Sequence, residues 1–197
     1  KFVVDYSKTV ALEGASEFLG YSDAKASGTV EVIIVDGEKV DTLGSGQQGV
    51  VIFDRTPFYA ESGGQTGDTG TLTAPGLSAR VLDTTKQGDL HFHHVQLESG
   101  ELAVGASVSM QIDEHLRDQI RANHSATHLL HAALRQVLGN HVQQKGSLVT
   151  ADRLRFDFSH SAPVTAEELS QLSAIVNSQV MANTDVSTRL MNMDEAV

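Results

Sequence analysis

His124 and His128, in the run His124-Ser125-Ala126-Thr127-His128, are the residues whose type and spacing point most directly to chemistry. Four positions apart on a helix they share one face, so both imidazoles can reach a single ion. Such a pair is half of a zinc site, because a catalytic zinc takes at least three protein ligands and a structural one takes four. The chain has no cysteine, and no second His-x-x-x-His pair follows before Val197. The missing ligands come either from elsewhere in this sequence or from a longer protein of which the chain is a piece, and the other features favour the piece. Zinc proteases write the spacing as His-Glu-x-x-His, with the Glu as general base. Ser125 stands at that position here, which argues against protease chemistry. Two packed or solvated histidines are the alternative reading of the pair. His131, one turn further along, could coordinate or relay protons, and a helix-surface histidine is the expectation.

A second cluster is Thr56-Pro57-Phe58-Tyr59-Ala60-Glu61-Ser62-Gly63-Gly64-Gln65. Adjacent glycines permit positive φ and a close approach of backbone to a ligand, and Gln65 supplies a neutral group that both donates and accepts hydrogen bonds. A phosphate-binding loop would need Gly-x-x-x-x-Gly-Lys-Ser/Thr, which is absent. A plain glycine turn between strands is the competing reading. His91, His93 and His94 fall in a strand-like run with His91 and His93 on one face; metal binding is one reading of them, and exposed strand histidines are the expectation. Asp157 and His160 near Arg155 could be catalytic, but Phe156 and Phe158 make that segment read as a core strand with a polar outer face.

These residues sit in a 197-residue chain, long enough for one large or two small domains with a real core. No apolar run approaches the roughly 20 residues of a membrane span. Both ends, Lys1-Phe2-Val3 and Glu195-Ala196-Val197, read as boundaries inside a longer protein. The absence of cysteine leaves a cytoplasmic origin as the simplest reading. A formal charge of −11 argues against DNA or RNA binding driven by phosphate neutralisation. It still admits a pocket that accepts only the end of a nucleic acid held by other domains. Arg117, Arg121, Arg135, Lys145, Arg153 and Arg155 gather around the histidines, where a solvated helix face is the simpler account.

The elements that must position these groups change period midway. Val30 to Val35, followed by the turn signal Asp36-Gly37, and then Gly49 to Phe53, Gly70 to Thr73, Ala79 to Thr84, His91 to Val95 and Ser107 to Ile112 read as short strands. They predict a small antiparallel β-barrel over residues 1–112. From Asp113 to Leu138 the apolar spacing is helical and ends at Gly139-Asn140. Strands are expected at Ser147 to Val149, Leu154 to Phe158 and near Val186 to Met191. Thr165 to Glu168 matches a capping box, with Leu169, Leu172, Ile175, Val176 and Val180 as one apolar stripe behind it. The expected architecture is α+β: the barrel, then an incomplete α/β core over residues 113–197 with a long histidine-bearing helix.

Together the motifs resemble the editing region of the alanyl-tRNA synthetases. The match is carried by Arg55-Thr56-Pro57-Phe58-Tyr59-Ala60-Glu61-Ser62-Gly63-Gly64-Gln65 with Gly67-Asp68-Thr69-Gly70. It continues through Arg121-Ala122-Asn123-His124 to Leu134, Gln144-Lys145-Gly146-Ser147-Leu148-Val149, and Leu154-Arg155-Phe156-Asp157-Phe158-Ser159-His160. The resemblance implies a β-barrel and an editing core of the kind shared with threonyl-tRNA synthetase. It implies zinc held by His124 and His128 together with a Cys-x-x-x-His pair that these residues do not contain. The implied parent is a cytoplasmic ligase that joins alanine to its tRNA using ATP. Its editing site hydrolyses alanine tRNA mischarged with serine or glycine, and this chain alone is expected to be weak or inactive. By the same resemblance Thr56 senses the serine hydroxyl, Gln65 lines the pocket and positions substrate or water, and Gly63 and Gly64 admit the terminal adenosine. The implied partners are the aminoacylated end of alanine tRNA and the other domains of the parent, with no membrane and no DNA. A free-standing deacylase of the same superfamily and a non-catalytic docking module are the alternatives. The activity has a physical motive, because an alanine pocket cannot sterically refuse glycine and rejects an added hydroxyl by only about a hundredfold.

Overall fold

The computed structural model describes residues 12–185. The strand expected near Val186 to Met191 lies outside the described residues. In order, the elements are β1 (Glu17–Phe18), β2 (Lys25–Val35), β3 (Glu38–Val40), β4 (Thr42–Gly44), β5 (Gln48–Phe53), β6 (Arg55–Thr56), β7 (Gly70–Ala74), β8 (Leu77–Gln87), β9 (Leu90–Ser99), β10 (Glu101–Ala103) and β11 (Ser107–Ile112). The helix α1 (Glu114–Leu138), the strands β12 (Gln144–Val149) and β13 (Leu154–Phe158), and the helix α2 (Ala166–Ala182) follow.

Six strands close into an antiparallel barrel in the order β11-β7-β8-β9-β5-β2, and the β11–β2 pairing completes the ring. Closure removes the exposed edges that an open sheet of short strands would present. Inside lie Val30, Ile33, Val51, Phe53, Leu72, Val81, Val95, Leu97, Val108 and Met110, all buried. β5 is buried on both faces: Val51 and Phe53 point to the interior cluster, while Val50 and Ile52 join Ile34, Leu90 and Phe92 in a second one. That double burial explains its unbroken apolar run, Val50-Val51-Ile52-Phe53. The β2–β3 hairpin turns on Asp36 (φ 52°) and Gly37 (φ 86°), the paired positive φ values of a type I′ turn, as the Asp-Gly signal predicts.

The chain divides into two compact units, residues 1–124 with 146–156, and residues 125–145 with 157–197. The first contains the barrel. In the second, the rings of His141 and His160 stack at 5.1 Å with Nε2 of one 2.9 Å from Nδ1 of the other. The second unit also carries α2, whose capping box forms as expected: Thr165 Oγ1 accepts from the Glu168 N–H, and the Glu168 carboxylate accepts from the Thr165 N–H. The apolar stripe of α2 is only partly covered. Leu172 is buried, whereas Leu169 and Val180 are each 54% exposed. No helix among the described residues is long and apolar enough to cross a membrane.

Candidate functional site

The motif Thr56 to Gln65 begins in β6 and leaves the barrel as an irregular segment held at many points. Tyr59 and Asp68 clasp its base: the Asp68 N–H donates to the Tyr59 carbonyl at 2.9 Å, and the Tyr59 N–H donates to the Asp68 carboxylate at 2.7 Å. Glu61 N–H donates to the Thr84 carbonyl, and the Thr84 hydroxyl donates to the Asp68 carbonyl, so β8 fixes the middle of the segment. The tip is a tight turn, Ser62-Gly63-Gly64-Gln65, whose end residues exchange backbone hydrogen bonds of 3.2 and 3.0 Å. Both central residues have positive φ, 59° at Gly63 and 85° at Gly64, so this turn again is of type I′, a conformation that glycine adopts at no steric cost.

The close approach of backbone that adjacent glycines allow is used at Gly64 by the protein itself. A Cβ there would collide with the carbonyl of Ser147 in β12, whereas nothing stands within 4 Å of one at Gly63. Two backbone bonds, Val149 N–H to Gly64 O at 2.8 Å and Thr66 N–H to Val149 O at 3.0 Å, lock the turn along β12. The same strand end then anchors the helix. Asn123 Nδ2 donates to the carbonyls of Thr150 and Ala151 at 2.8 and 3.1 Å. The residue after Asn123 is His124, and its Nδ1 lies 2.5 Å from Gln65 Oε1. Gln65 and His124, 59 positions apart in sequence, are thus brought together by one strand that holds the backbone of the first and the neighbour of the second.

Thr56 takes a different position. It is fully buried, with its hydroxyl 2.7 Å from His93 Nε2 and accepting from the Phe58 N–H at 3.1 Å. A role as a hydroxyl sensor requires this fully buried hydroxyl to become accessible to substrate. His128 follows His124 by one turn of the unbroken helix α1. Among the described residues no group of three or more His, Cys, Asp or Glu side chains stands together as a metal site.

The histidines of β9 correct the expectation of exposed strand residues. His91 is 5% and His93 0% exposed. Alternation along β9 sends Leu90 and Phe92 to one cluster and His91, His93 and Val95 to the other face. Burial is tolerated because the ring nitrogens find partners: His91 Nδ1 donates to the Phe58 carbonyl at 3.0 Å and His93 Nδ1 to the Val51 carbonyl at 2.9 Å. Phe53 and Phe58 meet the His93 ring edge-on. Desolvation pushes the His93 pKa down to about 3, and burial lowers that of His91 as well, so His93 is neutral under ordinary conditions.

Arg117 corrects a second expectation, that of a solvated helix-face arginine. Its side chain is 13% exposed and pairs with Asp68, which is 4% exposed. The remaining guanidinium donors reach the Gly20 carbonyl at 2.7 Å and the Pro57 carbonyl at 2.8 Å. One helix residue therefore grips both the entrance to the barrel and the base of the Thr56 to Gln65 segment. The signal was present as Asp68 within the motif and Arg117 at the start of a helix, but nothing in their spacing pairs them.

Against known proteins, residues 1–116 match the family model described as tRNA synthetases class II (A). The chain is 52% identical over 191 residues to an alanine–tRNA ligase from a Ruegeria species, covering 97% of this chain and 22% of that protein. It is 53% identical over 184 residues to the alanine–tRNA ligase of Nitrobacter winogradskyi, covering 93% of this chain and 21% of that protein. A third, from Saccharophagus degradans, is 51% identical over 195 residues, with 99% of this chain and 22% of that protein covered. The chain spans about a fifth of the length of the curated relatives it matches.

Proposed function

The chain belongs to the class II (A) tRNA synthetases, and from that premise we propose that it forms the part of an alanine–tRNA ligase that clears mischarged tRNA. In this reading the intact enzyme ligates alanine to tRNA using ATP. The site around Gln65 and His124 hydrolyses the ester of serine or glycine on the 3′ end of alanine tRNA. One observation carries the reading. The glycine turn and the histidine helix, the two motifs with chemical character, meet at the 2.5 Å Gln65–His124 contact. Gly63, whose Cβ position is open, is the place for the terminal adenosine, and by the resemblance Thr56, once accessible, is the residue for recognition of the serine hydroxyl.

Zinc fits the donor set in part. A glutamine Oε1 only accepts, so the ring nitrogen facing it in His124 is the one that carries the proton, and Nε2 carries the lone pair that a metal needs. His128 offers a second imidazole, and further ligands are required because a zinc site takes at least three from the protein. When bound, zinc supplies Lewis acidity to an ester carbonyl or a water. The chain's own contribution is to hold the ester end still and to exclude the wrong geometry through a turn fixed on three sides. The test is clearance of seryl-tRNA by the intact enzyme carrying His128→Ala. Clearance is expected to vanish while alanine activation persists. Unchanged clearance sinks the assignment.

A further inference from the structure

We propose that Gln65 is a positioning residue: its side-chain carbonyl fixes His124 as the Nδ1–H tautomer and so turns the Nε2 lone pair away from the glycine turn. The inference rests on the reading above only where it touches metal; the tautomer stands by itself.

Geometry supplies the first argument. Gln65 Oε1 and His124 Nδ1 are 2.5 Å apart. A carbonyl oxygen has no proton to give, so the hydrogen bond exists only if Nδ1 is protonated. In a neutral imidazole the other nitrogen is then the acceptor. Solvated histidine favours the opposite, Nε2–H form, so the protein must supply the difference.

Rigidity supplies the second. Where the Gln65 amide can reach is set by the backbone that carries it. Here the backbone of Gln65 is held on both sides: by Ser62 across the turn, and through the bonds of Gly64 and Thr66 to Val149. The histidine side is held as firmly, because Asn123 spans the Thr150 and Ala151 carbonyls immediately after the same strand. A second partner that orients a metal-binding imidazole in this way is worth about 10–100-fold in metal affinity. Gln65 thereby acts through His124 and need not touch the scissile ester itself.

The experiment uses this chain with 15N-labelled histidine, with the His124 signals assigned from the His124→Asn spectrum. Proton–nitrogen couplings at a pH where histidine is neutral distinguish Nδ1–H from Nε2–H. Wild type is expected to show Nδ1–H at His124. Gln65→Leu should move the population towards Nε2–H, and Gln65→Glu, which keeps an acceptor, should retain Nδ1–H. In the intact enzyme, zinc affinity should fall 10–100-fold for Gln65→Leu and much less for Gln65→Glu. Nε2–H in the wild type, or an unchanged tautomer in Gln65→Leu, overturns the proposal; the first of these needs no variant that folds. Failure of the wild-type enzyme to clear seryl-tRNA, with the tautomer as expected, sinks the editing reading and leaves the role of Gln65 intact.

Discussion

Thr56 Oγ1 and His93 Nε2 lie 2.7 Å apart in the barrel interior, and the polarity of that bond is dictated by what surrounds it. His93 Nδ1 faces the Val51 carbonyl and must donate, so Nε2 accepts and the Thr56 hydroxyl donates. The hydroxyl oxygen then accepts from the Phe58 N–H. Every polar atom in the chain of contacts has one role, and the first residues of the glycine-turn segment hang from it.

This arrangement makes stability depend on pH with a definite sign. His93 has a folded pKa of about 3 against an ordinary value of 6.5. Above 6.5 neither state binds the proton and His93 adds no pH dependence. As pH falls from 6.5 towards 3 the unfolded chain takes up a proton that the folded chain refuses, so stability declines by about 1.4 kcal/mol per pH unit. His91, lowered by burial, acts with the same sign. Unfolding free energies from urea titrations at pH 7 and pH 5 should differ by about 2 kcal/mol from His93 alone. His93→Gln should lose that share of the difference, and a pH dependence equal to wild type would show that His93 is not the titrating group.

Thr56→Val keeps the shape of the side chain and removes both the donor and the acceptor. Loss of about 1–3 kcal/mol is expected, because His93 Nε2 and the Phe58 N–H are left buried without their partner. Thr56→Ser should lose about 1 kcal/mol, the value of a buried methyl. Below the unfolding range, the intact enzyme carrying Thr56→Val should change its ratio of seryl- to alanyl-tRNA hydrolysis severalfold. An unaltered ratio moves hydroxyl recognition to Gln65.

Barrel strands, the long helix and the capping box were legible because each has a local pattern: period two with turn residues, period near 3.6, and Thr165 three residues before Glu168. Gln65 and His124 were each legible as chemical residues, but their contact was not, since it depends on where β12 runs. His93 misled because a histidine beside two others in a strand looks solvated. Its burial follows from the barrel closing over it, with partners on β5 and β6 that lie 42 and 37 positions away. Arg117 was hidden for the same reason, its carboxylate being 49 positions off.

The Arg117–Asp68 pair should prove costly to break from one side. Arg117→Met leaves a nearly buried carboxylate uncompensated and removes donors from the Gly20 and Pro57 carbonyls, for a loss of about 3–5 kcal/mol. Adding Asp68→Asn removes the stranded charge while an amide oxygen can still accept from the Tyr59 N–H. The double variant should therefore regain at least about 1 kcal/mol over Arg117→Met. Strict additivity of the two losses would show that the charges are not coupled.

Metal content separates the ligands within this chain from those the resemblance places elsewhere. Two neutral imidazoles leave most of the coordination shell to water, which makes a weak site. Elemental analysis should find little zinc in the purified 197-residue chain and stoichiometric zinc in the intact enzyme. One tight zinc per 197-residue chain would mean that these residues hold a complete ligand set.

Deacylation by the chain alone, set beside that of the intact enzyme, decides how much of the chemistry these residues carry. The chain should clear seryl-tRNA slowly for two independent reasons. In the proposed reading its histidines supply only part of a zinc shell, and a formal charge of −11 disfavours holding a polyanion. The second reason predicts a salt signature: lowering ionic strength strengthens repulsion and gives the isolated chain no gain, whereas an enzyme that grips tRNA through basic domains gains steeply. The two should therefore diverge most at low salt, compared at equal concentration. Robust turnover by the chain without added zinc would show that Gln65 and His124 suffice, and would recast His124 and His128 as acid–base groups.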